Sequence, residues 1–123
     1  MTKTAVLHKF VSSFGLEAYQ EHSVPDEAIF PYLTYSVSTD SFSGNEVPIT
    51  ISLWYRTTSW LAVNAKAEEI STAIGYGGVI VSCDGGKMWI KRGQPFAISM
   101  GDNTDDLIKR KLINVSVDYL TLN

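Results

Sequence analysis

The chain has 123 residues, a length that suits one domain with one hydrophobic core. Its net charge of −3 argues against a sequence-reading nucleic-acid protein, which concentrates Lys and Arg on one face. Cys83 is the one cysteine, so an intramolecular disulfide and a zinc site of several thiolates are both excluded.

Hydropathy adds a further exclusion. No run of residues approaches the roughly 20 apolar residues that a membrane-spanning helix needs. The N-terminal region also lacks the apolar segment of a secretory signal. We therefore expect a protein of a reducing compartment that has no membrane partner.

The first predicted element is an amphipathic helix. Thr2 is a suitable N-cap, and an apolar stripe from Val6 to Phe14 repeats at helical spacing before Gly15. Residues 16–29 are mostly polar, and we interpret them as a loop with room for a short turn or strand.

Two extended segments follow in tandem, and they are the most informative part of the sequence. Residues 30–38 and 48–56 alternate apolar and polar side chains with a period of two, which predicts two half-buried strands. The polar connection between them contains Gly44-Asn45 and predicts a long, exposed hairpin loop. Trp54 and Arg56 are expected on the outward side. The expected inward side chains are Leu33, Tyr35, Val37, Ile49, Ile51, Leu53 and Tyr55.

A second helix follows the strand pair. From about Ser59 the apolar spacing changes to three and four residues, and Gly75 is placed to end the helix. The glycines from Gly75 to Gly78 do not form a phosphate-binding loop, because they follow a helix and lack the Lys of that motif. We interpret them as a helix end and a turn.

The remaining elements are predicted to be strands. Residues 79–83 and 87–92 flank Asp84-Gly85-Gly86, a strong hairpin signal. Residues 95–100 are interpreted as a short extended piece. The closing strand is predicted over residues 113–120, with its inward side formed by Ile113, Val115, Val117 and Tyr119.

Together these elements predict a single α+β domain spanning residues 1–123. The order of elements is α-β-β-α-β-β-β. We expect a mixed, mostly antiparallel sheet with the two helices packed on one face.

No arrangement of residues predicts catalysis, a cofactor or a metal site. Asp102, Asp105 and Asp106 form the one cluster of carboxylates, but their spacing misses that of a calcium loop. We interpret them as a solvated turn or a helix cap, with a weak cation site as the alternative. His8 and His22 lack partners at metal-ligand or triad spacing. Cys83 has no adjacent basic residue to activate it and is expected to be structural.

Aromatic and basic side chains are the remaining candidates for function. Trp, Tyr and Arg are enriched at protein interfaces, although the indoles could equally pack within the chain. A stacking surface for single-stranded nucleic acid is disfavoured by the negative charge. The predicted interface residues are Phe42, Asn45, Trp54, Arg56, Trp60, Trp89, Lys91 and Arg92.

Several segments carry a resemblance to a known family. These are residues 26–35, with Phe30-Pro31 before an alternating strand, the polar hairpin, the strand ending Trp54-Tyr55-Arg56, the Ala-rich helix, and the closing strand Ile113–Tyr119. In this order they resemble the tail terminator and tail-completion proteins of long-tailed bacteriophages, over nearly the whole chain.

The resemblance implies a structural virion protein without catalysis. Such a protein forms a hexameric ring that caps the tail tube, stops its elongation and provides the surface for head-tail joining. The implied partners are further copies of the chain, the major tail tube protein and a head-completion or neck protein. DNA would pass through the lumen without specific binding. The implied location is the virion tail, assembled in the bacterial host cytoplasm.

Two alternatives stay open. The nearest is a head-completion or neck connector protein of the same particle. From a different class, a small α+β ligand-binding module or enzyme would use a pocket between the first helix and the sheet.

Overall fold

The structure is a computed structural model that describes residues 1–123. Two helices and six strands make up the fold. In chain order they are α1 (Lys3–Ser12), β1 (Glu17–Gln20), β2 (Tyr32–Tyr35), β3 (Val47–Arg56), α2 (Leu61–Ile74), β4 (Val79–Cys83), β5 (Gly86–Gly101) and β6 (Ile108–Thr121).

All six strands belong to one sheet in the order β1-β2-β3-β6-β5-β4. β1 runs parallel to β2, and every other neighbouring pair is antiparallel. The sheet is curled into a half-barrel. α1 contacts both edge strands, β1 and β4, while α2 packs against β3, β5 and β6.

One hydrophobic core joins the concave side of the sheet to the apolar sides of both helices. Alternate residues of β2, β3, β5 and β6 point into it, as the period of two requires. We call the opposite side of the sheet the outer face. The most buried core side chains are Leu7, Leu33, Tyr35, Ile49, Ile51, Leu53, Ile70, Ile74, Met88, Ile90, Ile113 and Tyr119.

The predicted fold class is wrong. The sequence predicts an α+β protein of order α-β-β-α-β-β-β with two helices packed on one face of a sheet. The structure is instead mostly β, with 43% of its residues in strands, and its six-stranded mixed sheet is curled into a half-barrel. The curl has a physical cause in β5 and β6, which are 16 and 14 residues long. Long paired strands accumulate twist, and the irregularity between Arg92 and Ala97 bends β5 further.

Strand boundaries also differ from the prediction. The first predicted strand, residues 30–38, is shortened to β2 (Tyr32–Tyr35), because only these four residues pair with β1 and β3. Three other segments gain strand structure. Residues 17–20, assigned to a loop with room for a short turn or strand, form the edge strand β1. The two pieces predicted at residues 87–92 and 95–100 are one continuous strand, β5. β6 begins at Ile108 rather than at residue 113. In each case pairing with a neighbouring strand supplies hydrogen bonds that local sequence patterns do not reveal.

Three of the local predictions are confirmed, namely the cap of α1, the end of α2 and the pairing of β2 with β3. Thr2 caps α1, because its Oγ1 accepts the Ala5 N–H at 3.1 Å. Gly75 ends α2 with a φ of 74°, a conformation that favours glycine. β2 and β3 are antiparallel neighbours. No helix of the structure combines the length and apolar character that a bilayer crossing requires.

Candidate protein interface

A row of large side chains crosses the outer face of the sheet. The strand register places Tyr32 of β2 opposite Trp54 of β3, and Trp54 opposite Arg110 of β6. The rings of Tyr32 and Trp54 stack with centroids 6.3 Å apart and planes 20° apart. The Arg110 guanidinium carbon lies 4.8 Å from the centroid of the Trp54 ring. This is a cation–π contact, continuous with the aromatic stack.

Two further aromatic rings extend the row. Tyr19 of β1 lies edge-on to Tyr32 with ring centroids 5.8 Å apart, and the centroid of the Phe30 ring lies 5.2 Å from that of Tyr32. None of these side chains is fully buried or fully exposed. We call this set the aromatic–arginine cluster, and its members are Tyr19, Phe30, Tyr32, Trp54 and Arg110.

Two buried hydroxyl groups hold the cluster in place. The Trp54 indole N–H donates to Thr34 Oγ1 at 3.0 Å. Arg110 donates from Nε and Nη2 to Ser52 Oγ, at 3.3 and 3.1 Å. Thr34 and Ser52 are only 6% and 1% exposed. The indole and the guanidinium are therefore fixed in orientation before any partner binds.

The electrostatics of the cluster suit a partner with hydrogen-bonding or acidic groups. Arg110 forms no ion pair within the chain, so its remaining N–H donors are available to an acceptor. Burial, together with the neighbouring Tyr19, raises the pKa of the Tyr32 hydroxyl. Tyr32 is therefore neutral at physiological pH and leaves the positive charge of Arg110 uncompensated.

Arg56 shares the outer face with Trp54 but already has a partner. Its Nε donates to Asp105 Oδ2 at 3.1 Å, forming an ion pair. The N–H of Leu107 and then Arg56 lower the pKa of Asp105. Arg56 therefore joins the end of β3 to the loop before β6, rather than belonging to the aromatic–arginine cluster.

Trp89 lies on the same outer face at its opposite end. It is paired with Asp118 of β6, whereas Trp54 is paired with Arg110. Eight residues of strand separate these two β6 positions, which corresponds to about 27 Å. The two tryptophans therefore do not belong to one patch.

Internal contacts hold the region around Trp89. The indole N–H donates to the Gly77 carbonyl at 2.8 Å, and Lys91 Nζ lies 4.0 Å from the ring centroid. Lys91 is also ion-paired with Glu46. The hydrogen bonds from Lys91 and then Ser116 lower the pKa of Glu46. Lys91 thus joins β5 to the start of β3, and Trp89 joins β5 to the turn before β4.

The other predicted interface residues lie apart from both patches. Trp60 precedes α2 and packs against the core. Arg92 donates from Nη1 to Ser71 Oγ of α2 at 3.0 Å. Phe42 and Asn45 are exposed in the connection between β2 and β3. The predicted set is therefore divided among several places.

Four members of the cluster were not predicted from the sequence. Tyr19 lies in a segment interpreted as a loop, and Phe30 and Tyr32 were considered only as parts of a strand. A signal for Arg110 was present. Extending the period of two backwards from Ile113 places Arg110 on the outer face, but the predicted strand began too late to include it.

The acidic loop forms a turn held by its own carboxylates. Asp102 Oδ1 accepts the Thr104 N–H and the Thr104 hydroxyl, each at 2.7 Å, and the Asp105 N–H at 3.1 Å. These hydrogen bonds, that of the Thr104 hydroxyl first, lower the pKa of Asp102. Nowhere in the structure do three or more His, Cys, Asp or Glu residues form a group that could hold a metal ion.

A groove lies between α1 and β1, where a ligand-binding module would place its pocket. It has a volume of about 620 Å³ and opens widely to solvent. His8 Nδ1 and the Tyr35 hydroxyl share a hydrogen bond of 2.8 Å at this groove. Burial raises the pKa of Tyr35. The groove offers a few polar groups but does not enclose a small molecule.

The chain was compared with protein-family models, with curated proteins and with solved structures, and none of them matches it. The geometry of the outer face is therefore the main structural basis for a functional proposal.

Proposed function

We propose that this chain is a structural assembly protein that binds another protein through the aromatic–arginine cluster. We further propose that it acts as a phage tail terminator, capping the tail tube and providing the head-tail joining surface. The observation that carries the proposal is the cluster itself, in which Trp54 is held between Tyr32 and Arg110.

The composition of the cluster supports a protein partner. Trp, Tyr and Arg are the residue types most enriched among side chains that dominate binding energy at protein interfaces. Here they are packed together, partly exposed, and fixed by buried hydroxyl groups. Prior fixation lowers the entropy cost of binding, because the partner does not have to order these side chains.

The tail-terminator part of the proposal is supported by the resemblance of the sequence. Phe30-Pro31 directly precedes β2, and the closing motif of residues 113–119 lies within the long strand β6. In a ring, the same cluster would be repeated on every subunit. The net charge of −3 suits a lumen through which DNA passes without specific binding.

Deleting the gene from the phage that carries it tests the function. We expect tail tubes longer than normal in electron micrographs of the lysate, and tails of normal length when the intact gene is supplied. Trp54→Ala and Arg110→Gln should fail to restore normal length. Tyr76→Ala is the matched control, because Tyr76 is fully exposed and lies outside the cluster. Near-ultraviolet circular dichroism of each purified variant checks its folding.

Each alternative gives a different result in the same experiment. Tails of normal length beside unattached heads would contradict the terminator proposal and indicate a neck connector. Normal virions after deletion would contradict an assembly function altogether. If Trp54→Ala and Arg110→Gln both restored normal tails, the cluster would not be the binding surface. A thermal shift produced by a metabolite would favour a ligand-binding module.

A further inference from the structure

The strand β4 leaves one edge of the sheet open. β4 pairs with β5 alone, and the two-residue turn Asp84-Gly85 makes Cys83 and Gly86 a hydrogen-bonded pair. Hydrogen-bonded and non-hydrogen-bonded pairs alternate along antiparallel strands, so the N–H and C=O groups of Ile80 and Ser82 point away from β5. Neither residue has a main-chain hydrogen bond outside the sheet ladders. Such an edge is available for pairing with another extended chain.

A groove beside this edge can receive a side chain. It lies between α1 and β4, has a volume of about 370 Å³ and is mostly apolar. Lys9, an exposed residue that forms no ion pair, stands at its margin. The lining residues are Met1, Val6, Lys9, Phe10, Ser13, Val81 and Ser82.

The connection between β2 and β3 presents a side chain that fits such a groove. Phe42 is 66% exposed although it is a large hydrophobic residue. Two hydrogen bonds hold the main chain of this segment. The Phe42 N–H donates to the Thr121 carbonyl at 2.9 Å, and Lys3 Nζ donates to the Asp40 carbonyl at 2.9 Å. The exposed ring is therefore presented from a fixed backbone, which lowers the entropy cost of binding.

Charge complementarity identifies the occupant. The Asp40 carboxylate forms no ion pair within the chain, and it precedes Phe42 by two residues. The Cα atoms of residues two apart lie within about 7 Å of each other in any backbone conformation. A segment that places Phe42 in the groove therefore brings Asp40 towards Lys9.

We propose that the groove between α1 and β4 binds the Asp40–Phe42 segment of a second copy of this chain. The Phe42 ring lies between the helix and the strand, and Asp40 pairs with Lys9. The loop of one copy binds the groove of the next copy, and this contact closes into a ring where the rotation between copies allows. The inference rests on the proposed function only in that a terminator ring needs contacts between its copies.

Sedimentation velocity of the purified full chain over a range of concentrations tests this contact. We expect the unaltered chain to self-associate. Phe42→Ser should raise the dissociation constant by roughly ten-fold or more, as loss of a central aromatic anchor does. Ile29→Ser is the matched control, because Ile29 is 82% exposed and lies outside the groove. It should associate as the unaltered chain does.

A charge exchange tests the pairing itself. Lys9→Glu and Asp40→Lys should each weaken association, and the double variant should regain most of it. A synthetic peptide of residues 36–46, added to the labelled chain, should shift the amide signals of Ile80 and Ser82. A chain that stays monomeric, a Phe42→Ser variant that associates normally, or a double variant that regains nothing would each overturn the proposal.

The two proposals fail separately. Trp54→Ala should leave self-association unchanged while losing tail completion, because the aromatic–arginine cluster is not part of the groove. If Phe42→Ser associates and completes tails normally while Trp54→Ala does not complete them, the groove inference is wrong and the proposed function stands.

Discussion

Replacing Arg110 by Ala should destabilise the folded chain by a predictable amount. The substitution removes the cation–π contact with Trp54 and the hydrogen bonds that Ser52 Oγ accepts from the guanidinium. It also leaves the hydroxyl of Ser52, which is 1% exposed, without its donor.

The magnitude follows from these contacts. A cation–π contact at a partly exposed site is worth about 0.5–1 kcal/mol. A hydrogen bond from a charged donor contributes about 1.5 kcal/mol at the lower end of its range, which applies because Arg110 is partly exposed. We therefore expect Arg110→Ala to lower the free energy of unfolding by about 2 kcal/mol. Arg110→Lys keeps a charge near the ring but cannot donate from two nitrogens of a planar group, so its loss should be about half as large.

Urea unfolding followed by tryptophan fluorescence measures the effect. With a slope of about 2 kcal/mol per molar, the midpoint of Arg110→Ala should fall by about 1 M. Arg92→Ala is the matched control, since Arg92 is exposed and makes one hydrogen bond, to Ser71. If Arg110→Ala costs less than about 0.5 kcal/mol, or no more than Arg92→Ala, the cluster is not held as we describe.

Three further predictions concern stability. Asp118 Oδ1 is buried without a hydrogen-bond partner, so Asp118→Thr should raise the free energy of unfolding by about 1 kcal/mol in urea titrations, and a loss would contradict this. Burial is the main cause that raises the pKa of Tyr119 from 10.0 to about 12. The stabilisation that the neutral Tyr119 side chain gives the folded chain is therefore complete below pH 10 and is lost between pH 10 and 12. The stability difference between the chain and Tyr119→Phe should therefore narrow over that range, and a constant difference would refute the reasoning. Thr2→Ala should cost about 1 kcal/mol by removing the cap of α1, whereas Thr2→Ser should cost little in the same thermal unfolding assay.

Part of the candidate site could be predicted from the sequence. The period of two in residues 48–56 places Trp54 and Arg56 on the outward side of β3, and the structure has both on the outer face. The partners of these residues could not be predicted. Arg56 pairs with Asp105, and Trp54 meets Arg110, because β3 and β6 are neighbours across more than fifty residues of chain. Such pairing depends on the whole sheet and leaves no local pattern.

The sequence by itself determined the local features of this protein. Helix caps, turns and the inward faces of the central strands follow from short-range patterns of side chains, and Thr2, Gly75 and the core residues of β6 lie where those patterns place them. These patterns reflect interactions over a few residues, which the order of amino acids records directly.

Only the tertiary structure decided the architecture and the site. β1 is too short and too polar to be predicted, and it exists because β2 pairs with it. The curl of the sheet depends on the joint twist of β5 and β6, which no single segment specifies. The stack of Tyr32, Trp54 and Arg110 requires three strands in one register. Register between distant strands is set by the packing of the common core, so the proposed interface appears only when the sheet is complete.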